Sequence, residues 1–384
     1  VIKAMKSFIS TFIFLFAALL ISSCKQNNAR SSATQSPEKN EIQYAKGLEL
    51  YKRKGYSILK ITHPWPGSTT SFTYILQEKN GVIPDSLKQY TRISVPIESV
   101  VVTSTTHIPA LELLGVENTL VGFPNTDFIS SQKTRKRIDA GKIKEVGTNE
   151  TLNTEILIDM APDAIVSFGL NNSNPTLDNL EKSGLKVLLN GDWNEQSPLG
   201  RAEWIKFFGA LYGLDAKAKT IFSTIEKEYQ TTLALAQKAQ QKPTVLSGAM
   251  YQDQWFVPQG ESWMALFLKE AQSNYLWADT KGTGSLSLPF ETILEKAQKA
   301  EFWIAPGDFS SLQEMNNSNP HYAKFKAFQN KKVYSYAIHK GAKGGILFFE
   351  WSSARPDWVL KDLIAIFHPE LVPQYTPHFF EKLN

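Results

Sequence analysis

Leu152-Asn153-Thr154-Glu155-Ile156-Leu157 leads through Ala161-Pro162-Asp163 into the apolar run Ala164-Ile165-Val166. The pattern returns as Leu288-Pro289-Phe290-Glu291-Thr292-Ile293-Leu294, which leads through Ala300-Glu301 into Phe302-Trp303-Ile304. Each copy reads as a short helix with a glutamate near its start, followed by a buried strand. A repeat of that size predicts two similar α/β lobes, and two lobes most simply close around a ligand.

Between the copies lies one long helical stretch. Asp215 is a suitable N-cap for Ala216 to Gln240, which lacks Gly and Pro and spaces Ile221, Ile225, Tyr229 and Leu233 near one helical turn. At 1.5 Å per residue it would run roughly 37 Å, and Lys242-Pro243 stops it. The chain therefore divides into an N-terminal lobe over 46–196, connecting helices over 197–241 and a C-terminal lobe over 242–384. In the first lobe, strands are expected at Ile58–Thr62, Phe72–Leu76, Ile97–Val102, Val121–Phe123, Ala164–Phe168 and Leu185–Leu189. In the second they are expected at Thr244–Ser247, Tyr275–Trp277, Phe302–Ile304 and Val333–Tyr336. Strands alternating with helices such as Ser262 to Glu270 argue for parallel sheets. Pro64-Trp65-Pro66-Gly67 reads as turn punctuation, and Tyr251 to Glu261 as a loop.

The chain has 384 residues, 42% hydrophobic and 20% charged, which is an ordinary globular composition. A net charge of +4 leaves no basic footprint for nucleic acid. Lys3 and Lys6 precede the apolar run Phe8 to Ile21 and then Ser22-Ser23-Cys24, the order of a secretory signal over residues 1–23. Met5 is the first methionine and a candidate start. Cys24 is the sole cysteine, so no intramolecular disulfide can form. Its placement resembles a bacterial lipobox, which implies lipidation of Cys24 and a periplasmic protein anchored to, rather than spanning, the membrane. Residues 24–45, rich in Gln, Asn, Ser and Ala up to Asn40, read as a flexible tether.

In open α/β sheets, ligands bind beyond the carboxyl ends of the strands. That rule nominates Thr103 to His107, Phe123 to Asn125, Phe168 to Asn172 and Asn190 to Asn194 in the first lobe. In the second it nominates Tyr251 to Trp255, Pro306 to Phe309 and His339 to Gly344. Thr105 and the aromatics Phe123, Phe168, Trp193, Tyr251, Trp255 and Phe309 are the candidate contacts for a large flat ligand. Phe123 and Phe168 follow strands directly, where core packing is the alternative, whereas Trp193 and Trp255 fall in polar loops. His107 and His339 are candidate haem-iron ligands or, alternatively, hydrogen-bond donors or caps. Lys340 and Lys343 are placed to meet anionic chelate groups or solvent. No GxSxG, HExxH, P-loop or GxGxxG pattern occurs, so an enzyme would need an unfamiliar site. Six scattered histidines do not suggest a bare-metal cage.

From about residue 95 to 372 the chain resembles the class III substrate-binding lipoproteins of ABC importers, which receive iron-siderophore, haem or cobalamin. The resemblance rests on Thr105-Thr106-His107-Ile108-Pro109-Ala110-Leu111-Glu112-Leu113-Leu114-Gly115, on Thr154-Glu155 with Pro162-Asp163, and on Pro289-Phe290-Glu291. It rests also on Pro198 to Trp204, Gly344-Gly345 before Phe349-Glu350, Arg355-Pro356-Asp357-Trp358, and the close at His368-Pro369-Glu370-Leu371. It implies two Rossmann-like lobes joined by a rigid backbone helix, no resident cofactor and no catalysis. It also implies delivery of an iron chelate, or alternatively a corrinoid, to an ABC permease and its ATPase. Glu155 and Glu291 match the glutamates that dock into the permease. One departure is visible: the acidic residue before the strand lies 8 positions after Glu155 and 10 after Glu291.

Overall fold

The computed structural model describes residues 39–171 and 174–384. The signal segment, Cys24 and all but the end of the tether lie outside the described residues, as does Asn172. Residues 40–384 form one compact unit.

The described residues open with a four-stranded sheet that the sequence reading placed within the first lobe. Strands β1 (Leu48–Arg53), β2 (Tyr56–Ile61) and β3 (Phe72–Glu78) run antiparallel, and β4 (Thr91–Val95) lies parallel to β3. Leu48, Leu50, Leu59, Ile61 and Ile93 alternate with exposed or half-buried neighbours and, with Leu76, sink into the first lobe's core. Its approach is anchored more firmly than a tether would be. The buried Glu203 carboxylate accepts the backbone N–H groups of Gln43, Tyr44 and Ala45, with Lys206 Nζ 2.6 Å away. Ordering therefore begins before residue 46.

The first lobe proper is a five-stranded parallel sheet, in the order β7-β6-β5-β8-β9. In chain order it comprises β5 (Val100–Val102), α1 (Ile108–Leu114), β6 (Leu120–Phe123), α2 (Gln132–Asp139), β7 (Lys144–Glu145), α3 (Thr154–Met160), β8 (Ala164–Ser167), α4 (Pro175–Lys182) and β9 (Val187–Leu189). Ile97 to Ser99, expected within a strand, precede β5. Helices α5 (Pro198–Glu203) and α6 (Ile205–Leu211) lead to α7 (Asp215–Ala236).

Helix α7 is the strut the sequence predicts, ending at Ala236 rather than Gln240. Asp215 is its first helical residue rather than its N-cap, and its carboxylate meets Lys52 Nζ at 2.6 Å. The buried stripe is Ala218, Phe222, Ile225, Tyr229, Thr232 and Ala236, so Ile221 and Leu233 sit at its edge. The first three pack in the N-terminal core, whereas Tyr229 and Ala236 pack in the C-terminal core. One helix is thereby cemented into both hydrophobic cores, which makes it a stiff link rather than a hinge.

The second lobe restarts the pattern. It comprises β10 (Thr244–Ser247), β11 (Ala249–Tyr251), β12 (Gln254–Pro258), α8 (Trp263–Glu270), β13 (Asn274–Tyr275), β14 (Ser285–Leu288), α9 (Phe290–Ala297) and β15 (Phe302–Ile304). These are followed by α10 (Leu312–Ser318), α11 (Lys326–Gln329), β16 (Val333–Ser335), α12 (Leu347–Trp351), α13 (Pro356–Phe367) and β17 (Glu381–Lys382). The main sheet runs β13-β10-β15-β16-β17, with only the last pair antiparallel, and β11-β12-β14 form a separate antiparallel sheet. The expected Tyr251–Glu261 loop is therefore mostly a hairpin, turning at Gln252 with φ 55°.

The sequence echo has a structural meaning. Strand β8 is the parallel neighbour of the first lobe's opening strand, and β15 of the second lobe's. Asp163 accepts the backbone N–H groups of Glu98 and Ser99 just before β5. Glu301 accepts from the N–H and hydroxyl of Thr244, which opens β10. Both acidic residues thus pin the start of their lobe's first strand.

Candidate functional site

The strand ends of the first lobe face a loop of the second. Thr103 to Thr105 follow β5, Phe123 and Pro124 close β6, and Phe168 follows β8. With Phe128, Asn149, Gly345, Ile346 and Phe349 they line a cavity of about 230 Å³. Phe128 is 59% exposed and Phe349 50%, unusual values for phenylalanine, while Phe123 is buried behind them. The walls are chiefly aromatic, with threonine, serine and asparagine supplying the polar atoms.

The same loop locks the lobes together beside this cavity. Glu350 on α12 is fully buried, and its carboxylate accepts from the backbone N–H of Ser130 at 2.6 Å and of Ser131 at 3.0 Å. Ser131 caps α2 and donates its hydroxyl to Glu112 at 2.5 Å. Burial, reinforced by the neighbouring Glu112 carboxylate, outweighs the two N–H donors and pushes the Glu350 carboxyl up to about 7. Contact is also steric: a Cβ at Gly345 would lie 2.1 Å from the Phe128 carbonyl oxygen, and one at Gly341 2.6 Å from Ser130 Cα. Arg201 on α5 donates to the Trp193 and Glu195 carbonyls and lays its guanidinium 4.4 Å over the Trp263 ring of α8.

Of the residues singled out from sequence, Thr105, Phe123 and Phe168 meet at the cavity. His107 does not. The turn Thr105–His107 swings its ring into the core against Phe208, at 5.6 Å, and neither ring nitrogen has a partner among the described residues. Burial pulls its pKa below the ordinary imidazole range, so the ring is neutral and shielded from any ligand. Trp255 likewise is core. Its strand alternates outward and inward, so Trp255 and Val257 face in while Gln254 and Phe256 face out. Trp303, Phe325 and Tyr322 surround the Trp255 ring at 5.0, 5.5 and 5.8 Å. That period of two was readable but was masked by the polar residues around it.

Tyr251, 68% exposed, sits at the tip of the β11–β12 hairpin. Trp193 is half-buried beside Arg201, and half-buried Phe309 packs on Tyr322 at 6.1 Å. His339 lies 3.4 Å from Glu381, and Lys340 is exposed on the loop that returns to Ile346. None of these five lines the phenylalanine cavity. Among the described residues, no three His, Cys, Asp or Glu side chains converge as metal ligands would. The sequence reading did not nominate Phe128 and Phe349, which also line the cavity. Phe128 lies just past the loop assigned to β6, and Phe349 entered only as part of a motif.

Glu155 and Glu291 are both exposed, each the second residue of its helix, α3 or α9. The extra residues after Glu291 are absorbed after the glutamate, in one more helical residue and a longer link to β15. The two glutamates therefore occupy matching positions.

A family model described as periplasmic binding protein matches residues 100–337, which hold every parallel strand of the two lobes' five-stranded sheets. The chain belongs to the periplasmic binding protein family. Among its relatives is an uncharacterized lipoprotein of Methanocaldococcus jannaschii, 27% identical and aligned over 93% of this chain and 90% of the relative. The fold is shared with a periplasmic heme binding protein of Pseudomonas aeruginosa (TM-score 0.55, 19% identity, 75% of this chain and 98% of that one). It is also shared with a Helicobacter pylori protein solved with Ni-His (TM-score 0.54, 18% identity, 73% and 85%). The two-lobed α/β architecture with its single strut is thus that of a solute-binding protein. Among the described residues of this periplasmic binding protein, no helix is long and apolar enough to cross a membrane.

Proposed function

We propose that this periplasmic binding protein captures a metal chelate, an iron-siderophore or haem, and delivers it to an ABC permease and its ATPase. The observation that carries the reading is the interlobe cavity at the strand ends, where Phe128 and Phe349 expose their rings from opposite lobes. Exposing apolar rings to water costs about 25 cal/mol per Å², which a flat organic ligand recovers by covering them. Aromatic walls with few charges suit the organic shell of a chelate better than a bare ion. A cobalamin-type corrinoid satisfies the same walls and is the second reading.

Delivery rests on Glu155 and Glu291, carboxylates at matching positions on two lobes held at fixed separation by α7. Such a pair can steer and register a basic partner at two points. Lipid on Cys24 would hold the receptor at the membrane, on the periplasmic side, with the tether giving it reach. Titration with haem, a ferric siderophore and cobalamin tests the reading. Saturable one-to-one binding without turnover supports it, with Phe128→Ala plus Phe349→Ala weakening that binding about tenfold or more. No binding of any of the three would sink it.

A further inference from the structure

A second space between the lobes, of about 680 Å³, shares no lining residue with the phenylalanine cavity. Its volume falls within the range of small-molecule sites, about 300–1,000 Å³. One wall is built by the N-terminal sheet: Lys46 precedes β1, and His63 and Trp65 belong to the loop joining β2 to β3. Leu266 and Lys269 of α8 and the turn before it form the facing wall. The N-terminal wall precedes residue 100, outside the stretch the family model matches.

The lining carries two lysines, Lys46 and Lys269, and two carboxylates, Glu195 and Glu261. Lys46 and Lys269 are exposed, face it from opposite lobes, and have no ion-pair partner among the described residues. The carboxylates nearby are already engaged. Glu195, buried in the floor, accepts from Lys46 N at 3.0 Å, Gly47 N at 2.8 Å and Trp204 Nε1 at 3.2 Å. Glu261 accepts from Gly282 N at 2.9 Å and Lys281 Nζ at 3.2 Å. Trp65 supplies a flat apolar surface. Its ring is seated on Gly169, where a Cβ would come within 2.6 Å, and meets Phe72 edge-on at 6.2 Å. Gly169 directly follows Phe168, which lines the phenylalanine cavity.

We propose that this compartment is an anion-recognising subsite in which carboxylate groups of a small organic ligand lie between Lys46 and Lys269, against Trp65. The inference rests on the receptor reading and narrows it to chelates bearing free carboxylates.

Equilibrium titrations of the purified protein with haem and ferric citrate, which carry carboxylates, and with cobalamin, which has none free, provide the test. Lys46→Gln with Lys269→Gln should weaken the carboxylate probes about tenfold or more and remove most of the salt dependence of their binding. Trp65→Ala, which leaves both lysines, should weaken the same probes. Both lysines are exposed, so an unchanged melting temperature certifies the fold. Unaltered affinity for the carboxylate probes in the double-lysine variant overturns this inference alone, as does binding of cobalamin only. Failure of all three probes to bind overturns the receptor reading and this inference with it.

Discussion

Glu350→Gln removes a buried carboxyl that titrates near neutrality and bridges the two lobes. In the folded chain its pKa is raised from 4.5 to about 7, chiefly because the charged form loses its water. Between those values the folded protein keeps a proton that the unfolded chain has released. Stability from this group is fully present below about pH 4.5 and is lost as pH rises to about 7. At about 1.4 kcal/mol per unit, the loss amounts to about 3 kcal/mol. Glutamine resembles the protonated acid: its oxygen can accept one of the Ser130 and Ser131 N–H groups, and it carries no charge at any pH. The two proteins should therefore have similar stability near pH 5 and diverge near pH 8, with the variant more stable by about 2–3 kcal/mol. Chemical denaturation at both pH values measures the difference directly. Asp362, Glu270 and Glu181, whose pKa values burial also raises, titrate alike in both proteins and cancel in the comparison. Parallel pH profiles for the two proteins would refute the argument that Glu350 pays a burial cost at the interlobe contact.

Trp255→Ala should cost about 3–5 kcal/mol in denaturant unfolding, because the indole fills the centre of an aromatic core; a loss under about 1 kcal/mol would contradict its burial. Gly345→Ala should lower stability by about 1–3 kcal/mol, since its methyl would meet the Phe128 carbonyl and push the lobes apart; calorimetry reads the effect as a lower melting temperature. Tyr229→Phe removes the hydroxyl that α7 donates to the half-buried Glu270 carboxylate of α8 and should cost about 1–3 kcal/mol. Glu155→Lys with Glu291→Lys should leave melting temperature and chelate affinity unchanged while abolishing stimulation of the importer's ATP hydrolysis, measured with the reconstituted permease.

Amino-acid order by itself specified the repeated helix-strand unit, because helix period, strand period and the acidic residue before each strand are local properties. It likewise specified the strut, since a long run without Gly or Pro and with apolar residues one turn apart has little choice but helix. Strand ends nominated Thr105, Phe123 and Phe168, which meet at one cavity. Tertiary structure decided the rest. Whether an aromatic beyond a strand faces ligand or core depends on which element packs over it, and for His107 and Trp255 that element came from distant sequence: Phe208 on α6, and Trp303 with Tyr322 and Phe325. The partners of Glu350 lie some 220 positions away, beyond anything periodicity can reach. The N-terminal sheet looked like more of the first lobe because its strands alternate like any others and pack into the same core; only its strand pairing shows it to be a separate sheet. The echo of Glu155 and Glu291 was legible as a pattern, but the matching placement of the two carboxylates, with the extra residues absorbed after the second, is a property of the fold.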